Sequence, residues 1–188
     1  PVEQAQPAAS GVPELKTNNQ PQRVLSSGSR IQVETDVLKL EIDTLGGDVR
    51  QVDLPTYPVA VDSPQQPFRL LSDELPNLLV AQSGLLPADN APTHQAIYSS
   101  EHSSYRLNDQ ANELEVKLHW QNDKGLKVTK SYLFQRGSHT ITLKYLVDNG
   151  TTSPWQGQIY GQLQRTETSV GQSHFVYTYT GGAISSPS

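Results

Sequence analysis

The sequence predicts an all-β fold of antiparallel strands, and three observations carry that prediction. Residues 37–43 come close to alternating apolar and charged side chains, the period of a strand with one wet face. Residues 112–150 hold three more strand-like runs, separated by short turns that carry glycine. No segment shows the 3.6-residue apolar period of a long helix.

Taken in order, residues 1–29 are rich in Pro, Gln, Ala, Ser and Asn and follow neither period, so they read as a flexible linker ahead of a domain over 30–188. As a coil, such a linker spans on the order of 30 Å. Val37, Leu38, Leu40 and Ile42 are then set against Asp36, Lys39, Glu41 and Asp43. Gly46 and Gly47 follow and read as a structural turn, because glycine reaches backbone angles that a Cβ penalises; Val49, Val52 and Leu54 resume the apolar pattern. A phosphate-cradling loop would need more glycines in a set order and a following helix, and neither is present.

Pro55, Pro58, Pro64 and Pro67 make residues 55–67 a loop or sheet edge. Residues 72–82 are long enough for a short helix, and 84–102 read as irregular. The runs 112–120, 126–134 and 139–150 form a meander: Leu114, Val116, Leu118 and Trp120 share one face, as do Ile141, Leu143, Tyr145 and Val147. Gly125, Gly137 and Gly150 suit its turns. Residues 155–164 and 174–180 read as further strands.

One domain fits 188 residues, and the chain is long enough to bury a substantial core. A formal net charge of -5 with 14 Lys+Arg supplies no basic footprint, which argues against a nucleic acid partner. The longest apolar run is about four residues, as at 78–81, far from the roughly 18 needed to span a bilayer. A first residue other than Met points to a processed product or a piece of something longer. With no cysteine, disulfides and Cys-ligated zinc are excluded.

Catalytic chemistry finds no motif. His94, His102, His119, His139 and His174 show no HxxxH or HxH spacing, so neither a metal nor a cofactor is expected. His119 reads as a solvated strand residue. The stretch at 82–86 lacks the strand, elbow and helix of a serine hydrolase. Glu113 and Glu115 share a strand face; surface charge explains them more simply than acid/base work on a sugar. Near the end, Phe175, Tyr177 and Tyr179 project from one face of a strand. Such a stripe is most often core, and the alternative makes these three the candidate partner-binding residues.

The segments TDVLKLEIDTLGGDVRQVDLPTYP, PFRLL, AQSGL, NELEV, FQRG and GQLQR resemble, in order and rough spacing, the first large periplasmic domain of the bacterial YidC-type membrane protein insertases. The resemblance runs from about Arg30 to the C-terminus and is most specific over 35–58. It implies an antiparallel β-sandwich of the supersandwich, galactose-mutarotase-like kind, in which Gly46 and Gly47 turn the first strand pair. It also implies a periplasmic location, in a Gram-negative inner-membrane protein, between the first and second membrane helices. In the family, insertion belongs to membrane helices that no residue here matches, so membrane protein substrates would meet that other part. A non-catalytic interaction or spacing module near the Sec translocon and its SecDF accessory subunits is the implied role. The family domain continues past residue 188, so a truncated portion of the sandwich is expected. A carbohydrate-binding or mutarotase-like sandwich, or a stand-alone binding protein, is the alternative.

Overall fold

The computed structural model describes residues 25–87 and 90–166. Eleven strands and no helix occur among the described residues: β1 (Arg30–Glu34), β2 (Lys39–Asp43), β3 (Asp48–Pro58), β4 (Pro67–Leu71), β5 (Leu79–Leu86), β6 (Ser99–Ser100), β7 (Ser104–Arg106), β8 (Glu113–Gln121), β9 (Leu126–Gln135), β10 (Ile141–Asn149) and β11 (Gln158–Arg165). They form a seven-stranded sheet in the order β11-β5-β3-β2-β1-β7, with β4 added to β3, and a four-stranded sheet in the order β10-β9-β8-β6. All pairings are antiparallel except β1 with β7.

The alternation in the sequence explains how the two sheets meet. Ile31, Val33, Leu40, Ile42 and Val49 of the larger sheet pack with Val116, Leu118, Tyr132 and Phe134 of the smaller one in a single buried cluster. Each such side chain, taken from water, contributes roughly 1.5–3 kcal/mol. The meander is in register along its whole length, Glu113 opposite Gln135 and Ile141 opposite Phe134. Gly125 and Gly137, with φ of 96° and 71°, occupy its two turns.

Residues 72–82 and 84–86 differ from the sequence reading. Residues 72–82 hold no helix: Ser72 and Leu79 exchange backbone hydrogen bonds of 2.9 and 2.7 Å, and β5 starts at Leu79. Pro76 stands between them, where it has no N–H to give a helix. Residues 84–86, read as irregular, complete β5; Gly84 is there for space, since a Cβ would lie 2.7 Å from Tyr160 Oη and 2.8 Å from Thr93 Cα. Of the proline-rich 55–67, residues up to Pro58 extend β3 and Pro67 opens β4, the sheet-edge option.

Residues 26–29 are bonded to the sheet. Gly28 N donates to Asp43 Oδ1 at 2.7 Å, Ser29 N to Thr44 Oγ1 at 2.8 Å, and Ser27 Oγ to Asp43. The rest of the expected linker through Val24, and the expected strand at 174–180, lie outside the described residues.

Candidate functional site

Gly46 and Gly47 join β2 to β3 with φ of 78° and 59°. Their carbonyls are the acceptors of a cross-brace from the opposite sheet. Lys130 Nζ donates to Gly46 O at 2.8 Å and to Ser83 O at 3.2 Å, while the Tyr132 hydroxyl donates to Gly47 O. Both donors lie on β9 in the inward row Leu126, Val128, Lys130, Tyr132, Phe134, so a lysine stands where the period calls for an apolar residue. Its ammonium is 5.7–5.8 Å from the ring centroids of Tyr98, Tyr132 and Tyr145, a contact that attracts a desolvated cation.

Further charges surround the brace. Arg50 Nη2 lies 3.6 Å from Asp48 Oδ2, which also accepts from Gln82 Nε2 at 3.0 Å; Gln162 Nε2 donates to Gln82 Oε1 at 2.9 Å. Burial pushes Asp48 up to about 6, against the pull of Lys130, Gln82 and Arg50. Burial likewise pulls Lys130 down to about 7, with Asp48 opposing. His94 is lowered by burial and then by Lys130 and Arg50. Its Nδ1 is 2.7 Å from Tyr160 Oη, which also accepts the His94 N–H at 2.9 Å. Lys130 and Asp48 are fully buried, so the cluster couples the sheets and offers no face to a solute.

The accessible features lie elsewhere. A groove of about 390 Å³ opens between the sheets, lined by Val49, Ala81, Tyr132, Ile141, Leu143 and Leu163 among others. β11 forms one wall: Leu163 and Ile159 pair with Ala81 and Leu85 and share their face, yet are 71% and 62% exposed. On the larger sheet a shallow polar patch includes Glu34, Glu41 and Asp53. Each has a guanidinium partner: Arg106 at 3.4 Å, Arg30 at 3.6 Å and Arg69 at 2.8 Å.

The third feature is an arm. Past Val52, β3 pairs with β4 through two register shifts, and the hairpin carries Tyr57, Val59, Val61, Phe68 and Leu70 exposed, Val61 at 98%. Tyr57 meets the His139 ring edge-on at 5.5 Å.

Of the sequence candidates, Gly46 and Gly47 stand at the β2–β3 turn; Phe175, Tyr177, Tyr179 and His174 lie outside the described residues. Glu115 is paired with Lys117 at 3.1 Å, which lowers its pKa, and Glu113 accepts from Gln135 Nε2 at 3.2 Å. His119 is half-buried, 3.2 Å from Thr129 Oγ1. No group of three or more possible metal ligands occurs among the described residues. Sequence reasoning misses Lys130, although its place in an inward row is the signal that could have found it.

The family model described as the YidC periplasmic domain matches residues 30–188. The chain belongs to this family. Proteins named membrane protein insertase YidC are similar to it: that of Methylococcus capsulatus is 46% identical over 158 residues, covering 82% of this chain and 29% of the relative. Those of Thioalkalivibrio sulfidiphilus and Coxiella burnetii are 45% and 42% identical, covering 82% and 84% of this chain and 29% and 28% of the relatives. The chain thus spans less than a third of the length of these relatives. It is a YidC periplasmic domain, part of an inner-membrane protein, and the Lys130 brace is a feature of its interior.

Proposed function

We propose that this domain is a non-catalytic interaction module of a membrane protein insertase, making contacts beside the Sec translocon and its SecDF subunits while a membrane part handles the membrane protein substrates. The observation that carries this reading is the β3–β4 arm. It presents five large apolar side chains to solvent on a hairpin whose four prolines, Pro55, Pro58, Pro64 and Pro67, restrict its backbone. An exposed apolar patch on a rigid support suits protein contact, because little ordering entropy is lost on docking. Supporting it, the buried Lys130 ammonium is bonded to backbone carbonyls within the fold, and Glu34, Glu41 and Asp53 of the larger sheet face guanidinium groups.

The test is site-specific photocrosslinking from Val61 and Phe68 in the full-length insertase. Adducts with translocon or SecDF subunits are expected, and Val61→Asp reduces them. If neither position yields such adducts and removal of the arm's tip leaves co-purification unchanged, the module acts as a spacer and the interaction reading fails.

A further inference from the structure

The arm leaves the sandwich as a two-stranded ribbon. Past Val52, β3 has β4 beside it, and β4 has β3 as its only partner strand among the described residues. Phe68, Arg69 and Leu70 are all exposed, so neither face of β4 is covered. A ribbon of two strands is marginal by itself and gains from a third, and its outward amides are left to water. The free edge is short. Pro67 has no N–H to offer at one end, and at the other Ser72 already exchanges hydrogen bonds of 2.9 and 2.7 Å with Leu79. What remains, Phe68–Leu71, is too brief for edge-to-edge joining of whole sheets and fits a short extended segment.

Beside this edge a cleft of about 470 Å³ runs between β4, residues 74–79 and the end of β11. Leu70, Leu75, Leu78 and Leu79 line it together with Arg69 and Arg165. Leu70 and Leu75 are 48% and 38% exposed, which leaves apolar surface open in the cleft. The two guanidinium groups differ. Arg69 donates to both oxygens of Asp53, at 2.8 and 3.2 Å, and stands 3.5 Å from Glu74, so its charge is met within the fold. Arg165 has no ion pair among the described residues.

We infer that the arm's partner supplies an extended segment that adds to the free edge of β4 as a third strand, with apolar side chains against Leu70 and Leu75 and a carboxylate on Arg165. This rests on the arm being the interaction element, and it states the form in which the partner is met. Main-chain hydrogen bonds to the edge supply affinity for any extended chain, and the cleft selects among them by the side chains it accepts. A carboxylate on the unpaired guanidinium adds a charge-assisted bond and fixes the register.

Hydrogen exchange over residues 67–72 tests this in two preparations of the full-length insertase: reconstituted alone in phospholipid vesicles, and purified as its complex with translocon and SecDF subunits. The amides pointing away from β3 are expected to exchange at least about tenfold more slowly in the complex than in the vesicles. Equal protection in both overturns the inference, because lipid, a second copy or the insertase itself then covers the edge. Absence of protection in both overturns it too, and photoadducts from Val61 show how far the failure reaches. With adducts, the arm remains the interaction element and only strand addition falls; without them, both fall. Arg165→Glu is expected to remove the added protection and Arg165→Lys to keep most of it, and unchanged protection in Arg165→Glu overturns the inference.

Discussion

A lysine in a core row costs desolvation, and Lys130 offsets that cost through two carbonyl acceptors and three aromatic faces. Replacing it by methionine leaves Gly46 O and Ser83 O without this donor, which is expected to cost about 1–3 kcal/mol at neutral pH. The cost also depends on pH. Burial holds the Lys130 pKa well below its ordinary value of 10.5, so between the lowered value and 10.5 the unfolded chain binds the extra proton and wild-type stability rises with pH. The methionine variant has no such gain, and Asp48 beside it loses an opposing positive charge. The gap in urea-derived stability between wild type and Lys130→Met is therefore expected to widen from pH 7 to 10, by at most about 1.4 kcal/mol per pH unit. A constant gap would mean that Lys130 keeps its proton throughout. Asp48 acts in the opposite sense: raised from 3.8 to about 6, it weakens the fold as pH rises through that window, while the lowered His94 works against it. Two glycines separate strain from crowding. Gly137→Ala, at φ of 71° with nothing within 4 Å of the new Cβ, is expected to cost about 1–2 kcal/mol. Gly46→Ala adds a 2.4 Å approach to His94 O and should cost more, measured by the same unfolding midpoints.

Among the strands, β8, β9 and β10 were legible because alternation, length and turn glycines agreed, and local agreement of that kind marks a consistent fold. β5 was not, since its run from Gln82 to Leu86 is buried throughout and so loses the alternation, and Gly84 looks like a break when it is a close approach. The reach of β3 was hidden by Pro55 and Pro58, which are compatible with a strand only at an edge. The arm and the meander should also respond differently to truncation. Leu118→Ala on β8, fully buried, is expected to cost about 2–5 kcal/mol. Leu146→Ala on β10 and Val61→Ala on the arm, 70% and 98% exposed, should stay within about 0.5 kcal/mol. Thermal melts of the three variants check the order, and a large loss at Val61 would show that the arm is a structural element.

For the molecule as a whole, the same sandwich architecture serves binding modules and enzymes, so the fold leaves the choice to the arrangement of titratable groups. That arrangement was only half visible in sequence. The missing motifs could be read from His and Cys spacing, but the gathering of Asp48, Arg50, His94 and Lys130 comes from separate segments and needs the fold to assemble it. Proton transfer to a sugar requires an acid and a base within hydrogen-bond reach of one bound solute. Here the perturbed pair, Asp48 and Lys130, is sealed between the sheets, and Glu34, Glu41 and Asp53 of the larger sheet are each held in an ion pair with an arginine. Freshly dissolved glucose and galactose are therefore expected to mutarotate at the buffer rate in the presence of the domain, followed by polarimetry. Acceleration that is lost on Glu41→Gln or His94→Gln would show that one of these groups reaches a solute, and the non-catalytic reading would fall.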